Sequence, residues 1–494
     1  MRAIACLLGA AVSIAAAPSF TLEQIMSRPF ASALTAGPGG RVAWLVQRNG
    51  LRNIWVAEKP SFQGRQITKF TDDDGQEIGD IRWLHDGRGV IFVRGGDLET
   101  GRAEFPNPLS RPEGVDQAIY LALLDGTVRK LADGHTAQPC GPDRVVFIRR
   151  NEIFSIGLEV GSKEVAAAKL RGTFSGLEPS PDGAAVAFVT SRQTHGFVGV
   201  YRFADKSVRY LDPAVDTDFS PVWSPDSKQV AFIRLSALTR SRGFSPVRSV
   251  PDPWSIRVAD AVTGAGRQVW RASAGPGSAF RQLSDTSLFW AAGDRLVFPW
   301  ERDKWTHLYS VAVDGGDASP LTPGDFEVEH ASLSPDRTEI VYSSNQDDID
   351  RRHAWRVNVK AGSRPQRVAS GSGIEWSPAL LDGGDVALLR SDARMPAQAA
   401  VLTNGALKNL APETIPTNFP ASALVDPQAV MIPAADGMLI HGQLFMPTGP
   451  ASGKRPALIF FHGGSRRQML LGWHYMYYHH PALSTNVYRP WNAL

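Results

Sequence analysis

One phrase recurs along most of this chain and restricts the folds open to it. A turn rich in Pro, Asp and Gly leads into an apolar strand, then a second strand, then a short third. The clearest copies are "SPDGAAVAFVTS" from Ser180, "SPDSKQVAFIR" from Ser224 and "SPDRTEIVYSSN" from Ser334. Weaker copies start at Gly37, His85, Gly141, Ala291 and Leu381. Pro presets the φ angle of a turn, Asp bonds the nearby backbone and Gly accepts positive φ. The strand that follows is apolar on both faces, as a strand is when both faces of its sheet are covered. With Val42, Val90, Val145, Val186, Val230, Leu296, Ile340 and Val386 as anchors, successive copies lie 41 to 66 residues apart. A period near 40–50 with several strands per repeat predicts a mainly β fold, a β-propeller of seven or eight blades, with eight favoured. A β-sandwich has no sustained period of this length.

Two intervals are stretched. "SALTRSRGFSPVRSVPDP" from Ser236 carries Arg240, Arg242 and Arg248, candidates to meet a substrate carboxylate. "GDLETGRAEFPNPLSRPEGVDQ" from Gly96 is the other. The acidic stretches "TDDDGQE" from Thr71 and "NQDDIDRRH" from Asn345 lack the spacing of a calcium loop and read as solvated turns. "TLEQIM" from Thr21 reads as a short helix with a capping box, Thr21 to Gln24, that packs on another domain.

Of the 494 residues, 43% are hydrophobic and 20% charged, with a net charge of +3 and no run of like charge. Nucleic acid and acidic membranes are therefore not the expected partners. Residues 1–17, "MRAIACLLGAAVSIAAA", read as a bacterial secretory signal, which directs the chain to the periplasm or beyond. No later stretch is long and apolar enough for a membrane span. Cys6 would leave with the signal, so Cys140 is expected as a single buried, inert thiol.

Near residue 420 the repeat gives way. Pro412, Pro416 and Pro420 mark a linker. "AVMIPAADGMLIHGQLFMP" from Ala429 reads as a hairpin turning at Asp436 and Gly437. Then comes "ALIFFHGG", an apolar strand ending in His462, Gly463 and Gly464, followed by "RQMLLGWHYMYYHH", read as a loop running into a helix. His474, His479 and His480 do not share a helical face, so no metal site is expected there.

This order, with "VPDPWSIRVAD" from Val250 and "WERDKWTHLYSVAVDGG" from Trp300, resembles the dipeptidyl peptidase IV-like branch of the prolyl oligopeptidase family of serine peptidases. The resemblance implies a propeller followed by an α/β-hydrolase domain, peptide substrates and no cofactor. It implies a signal over 1–17, a helix and lead-in over 18–36, the propeller over 37–418 and hydrolase sequence over 419–494. It also puts His462 and Gly463 at the oxyanion loop. The family's nucleophile stands in a Gly-x-Ser-x-Gly elbow, and no such motif occurs in these residues. The hydrolase part is thus expected to be incomplete, the chain inactive, and the sequence beyond about residue 425 poorly packed. The family's paired propeller glutamates have no Glu-Glu counterpart, so substrate specificity stays open. A non-catalytic periplasmic propeller that binds peptides or envelope proteins is the alternative.

Overall fold

A computed structural model describes residues 20–96, 117–236, 253–283, 286–447, 453–461 and 468–473. The strands from Phe30–Gly37 to Ala406–Asn409 fall into consecutive fours, each an antiparallel meander. Six of these are separate four-stranded sheets. Two more, spanning residues 173–271, are joined into one eight-stranded sheet by a single parallel pairing, Gly196 with Thr217. The fold is a β-propeller. Its first sheet takes in Phe30–Gly37, which the repeat phrase had left in the lead-in.

All eight repeat anchors lie on the second strand of a unit and are buried. Each packs against side chains of the adjoining unit, which is why these strands read as apolar on both faces. Val230 and Phe232, for example, share a cluster with Ala187 and Val200 of the preceding unit. The Ser-Pro-Asp turns are small hydrogen-bonded cages. The Ser180 hydroxyl donates to Asp182 Oδ1 (2.6 Å) and accepts from the Ala185 amide (3.0 Å), and Ser224 and Ser334 repeat the arrangement.

The first strand of each unit behaves differently. In six of the eight, its register slips beside a residue with left-handed φ: Ala33, Asp80, Thr136, Gly176, Ser220 and Ser377. Such a bulge sets two residues against one and turns the strand. These strands face a central space, so their outer face is not covered by apolar side chains.

The ring closes between the first and last units. Val42, Trp44 and Ala57 pack with Leu389, Ala399 and Val401. Lys59 pairs with Asp385 (2.8 Å), and the Gly64 amide donates to the Leu410 carbonyl (2.6 Å). Among the described residues no strand is exchanged across this joint. The capping box forms as expected, and Ile25 of the helix Leu22–Met26 is buried with Phe419, Leu424 and Trp473. Among the described residues no helix is long and apolar enough to cross a membrane.

Candidate functional site

The first strands of all eight units line a channel of 1860 Å³. It has two mouths. At one, these strands begin, and Arg52, Glu77, Glu327, Glu329 and Gln468 line the wall. At the other they run into the Ser-Pro-Asp turns, beside Arg82, Glu178 and Arg337.

Both stretched intervals are rooted at the first mouth. Leu235, before the Arg-bearing interval, pairs with Thr217, the first residue of its unit's inner strand. Arg94, before the other, pairs with Ile78, also the first residue of an inner strand. Antiparallel pairing therefore brings Arg94 and Leu235, the strand ends that precede the two insertions, to the same side. Arg240, Arg242 and Arg248 themselves lie outside the described residues, as do His462 and Gly463.

The chain following His462–Gly464 returns to this mouth. Residues 468–473 form no helix; they lie in an extended, bent path across the last two units. The Gln468 side chain donates to the Ile349 carbonyl (2.7 Å) and accepts from Arg352 Nη2 (3.0 Å). The Leu471 amide donates to the Asp350 carbonyl (3.0 Å) and the Trp473 amide to the Asp392 carbonyl (3.0 Å). The Ser391 hydroxyl donates to the Trp473 carbonyl (2.7 Å). Leu470 enters the cluster that closes the ring, and the Arg28 guanidinium lies 5.3 Å over the Trp473 ring. The hairpin of Gln428–Pro433 and Leu439–Leu444 is largely exposed but reaches the same loop, His441 Nδ1 lying 3.0 Å from Asp350 Oδ1. Poor packing thus holds for the hairpin and for residues 453–461, and fails for 468–473, which are bound by backbone and core contacts.

The "NQDDIDRRH" stretch is this docking surface, not a solvated turn. Arg352 is 4% exposed and pairs with Glu329 (2.7 Å). His353 is fully buried, its Nδ1 2.7 Å from Glu375 Oε2 and its Nε2 3.7 Å from Asp348 Oδ2. Burial is tolerated because each charge has a partner of opposite sign or a hydrogen bond. "TDDDGQE" is likewise structured. Gln76 and Glu77 are buried, Asp74 pairs with Arg94 (2.5 Å), and Arg94 lies 4.5 Å over the Phe70 ring. Burial pulls the Arg52 guanidinium below its usual range, and Glu77 and Asp73 act against that. The spacing of His and carboxylates gave no motif; the one available signal was the density of charge immediately before an apolar strand.

Residues 255–394 match the family model for the dipeptidyl peptidase IV N-terminal region. Within that match, Trp270, Phe298 and Trp300 pack as one aromatic cluster with Trp254, the residue just before it, and the indole N–H groups of Trp254 and Trp300 both donate to the Gly277 carbonyl. Two relatives, both probable dipeptidyl peptidase 4, align over short stretches. The Emericella nidulans protein is 39% identical over 57 residues, 11% of this chain and 7% of that protein. The Aspergillus flavus protein is 30% identical over 102 residues, 20% of this chain and 13% of that protein. Among solved structures, dipeptidyl peptidase 4 of Porphyromonas gingivalis superposes with a TM-score of 0.61 at 13% identity, over 85% of this chain and 65% of that one. A puromycin-hydrolyzing peptidase of Mycobacterium tuberculosis gives 0.52 at 14% identity, over 85% and 58%. The match thus spans under two thirds of either solved chain. Residues 255–394 are thus similar to the N-terminal region of dipeptidyl peptidase IV, and the chain shares its propeller fold with these solved peptidases.

Proposed function

We propose that this chain is the propeller and opening hydrolase strands of an exported peptide-cleaving serine peptidase, with His462 and Gly463 in its oxyanion loop. One observation carries the reading. Residues 468–473, a few positions past Gly464, are seated on the propeller, at the mouth where both long insertions are rooted. An acyl-transfer site needs backbone N–H donors fixed where the oxyanion forms, a contribution of about 3–4 kcal/mol per donor. Anchoring the chain a few residues beyond the loop restricts where those donors can point. Arg240, Arg242 and Arg248, in the insertion that follows Leu235 at this rim, are the residues we assign to a peptide carboxylate, and residues 1–17 to export. We read the eight four-stranded units as eight blades, and residues 419–494 as hydrolase sequence.

The 494-residue polypeptide holds no Gly-x-Ser-x-Gly nucleophile. Loss of that serine in triad enzymes lowers turnover about 10⁶-fold. This polypeptide by itself therefore binds peptides without cleaving them. The open channel, complete among the described residues, also supports the second reading, a propeller that binds peptides with no catalytic partner. The test is an assay of the purified polypeptide with amino-terminal dipeptide and acyl-aminoacyl chromogenic substrates, beside anisotropy of a labelled peptide. Binding without turnover is expected, weakened when Arg240, Arg242 and Arg248 are together changed to Met. Turnover blocked by a fluorophosphonate would refute inactivity, and absence of peptide binding would refute both readings.

A further inference from the structure

The channel's other mouth holds a charge arrangement that the reading above does not use. Arg82 is the last residue but one of the inner strand of the second unit, Glu178 that of the fourth, and Arg337 lies in the turn after the inner strand of the seventh. All three line the same cavity. Although Glu178 is exposed to the channel, enclosure of its carboxyl by the wall raises its pKa to about 7, with the Arg82 and Arg337 guanidiniums acting the other way. Yet among the described residues Glu178 forms no ion pair within 4.0 Å. Each guanidinium spends one N–H on a backbone carbonyl: Arg82 Nη1 on Ile81 (3.1 Å) and Arg337 Nη1 on Trp290 (3.4 Å). A guanidinium has five N–H donors, so each retains capacity toward the lumen. Among the described residues, Asp80 and His85 of the second unit and His330 of the seventh are the other charged or titratable side chains lining the wall nearest them.

We propose that this mouth binds a small zwitterion, an amino acid or short peptide with both ends free, its ammonium on Glu178 and its carboxylate between Arg82 and Arg337. A simple cation would meet two guanidiniums, and a simple anion would meet the glutamate. A ligand with both signs is attracted at each contact, and charge-assisted hydrogen bonds in a confined space are the strong ones. A dipeptide's charged ends lie about 6–7 Å apart when extended, at ~3.3–3.6 Å per residue. Glu178 forms no ion pair within 4.0 Å of either guanidinium, which leaves room for a ligand to lie between them. The ligand must find Glu178 ionised, so binding strengthens as pH rises through the neutral range.

Calorimetric titration of the full chain with Gly-Gly, acetyl-Gly-Gly and Gly-Gly amide tests this. At pH 8, Gly-Gly is expected to bind about tenfold or more tightly than either blocked peptide, the worth of one hydrogen bond to a charged group. Glu178→Gln should abolish the preference over the acetylated peptide. Arg82→Met and Arg337→Met should each reduce the preference over the amide. Lowering the pH to 6 should weaken Gly-Gly. An unchanged thermal midpoint shows that each variant is folded, and the blocked peptides test the unaltered protein. Equal binding of the three peptides, no binding of any, or a preference that survives Glu178→Gln overturns the proposal.

Discussion

Gly472 has no room for a side chain. A Cβ there would fall 2.7 Å from Ile374 Cδ1 and 3.1 Å from the Asp392 carbonyl carbon, so a strand core and a backbone both stand in the way. Gly472→Val should destabilise the chain by about 1–3 kcal/mol in urea unfolding, unless 468–473 simply lift away. In that case Trp473 fluorescence shifts to the red while the unfolding midpoint holds. Cys140 offers a second residue-scale test. Burial pushes its thiol up to about 11, and its Sγ lies 3.5 Å from the Gly183 carbonyl. Iodoacetamide at pH 8 should leave it unmodified in the folded chain and alkylate it after unfolding, because the thiolate is the reactive form. Glu178 sets a pH dependence. Its folded pKa is raised, so the native state holds a proton that the unfolded chain releases between about pH 4.5 and 7. Across that window the parent should lose stability relative to Glu178→Gln as pH rises, read from thermal midpoints of the two proteins.

At the scale of the element, legibility follows covering. The second strands were readable because neighbouring units bury both their faces, which leaves an uninterrupted apolar run such as residues 186–189. The inner strands were not, because the bulges at Asp80, Ser220 and Ser377 break alternation and the channel wall accepts polar side chains. The turn phrase announced its chemistry fully. Ser334→Ala removes an oxygen that accepts from the Glu339 amide (3.0 Å) inside a buried corner and should cost about 1–2 kcal/mol. The docking surface was hidden for a different reason. Arg352 and His353 find their main partners in Glu329, Glu375 and Gln468, up to 116 residues away. A local reading of "NQDDIDRRH" sees only charge. The capping box, whose partners are three residues apart, was visible for the converse reason.

At the scale of the whole molecule, the joint between the first and last units decides whether the ring is a ring. Its polar contacts are partly exposed, and such pairs are worth about 0–1 kcal/mol. Its apolar contacts are buried, and truncating a buried leucine costs about 2–5 kcal/mol. Leu389→Ala should therefore lower stability several times more than Lys59→Met, although the lysine makes the more visible contact. The same closed ring gives residues 468–473 a rigid seat, since Leu470 packs into the joint itself. Residues 468–473, a few positions past the proposed oxyanion loop at His462 and Gly463, are held by the propeller. Amide hydrogen exchange on the 494-residue polypeptide measures this directly, at the Leu471 and Trp473 N–H groups that donate to Asp350 and Asp392. Both should be protected, and less so when Arg352→Met removes the guanidinium that holds Gln468; exchange of both at the rate of an unstructured peptide would mean that this segment is not seated on the propeller.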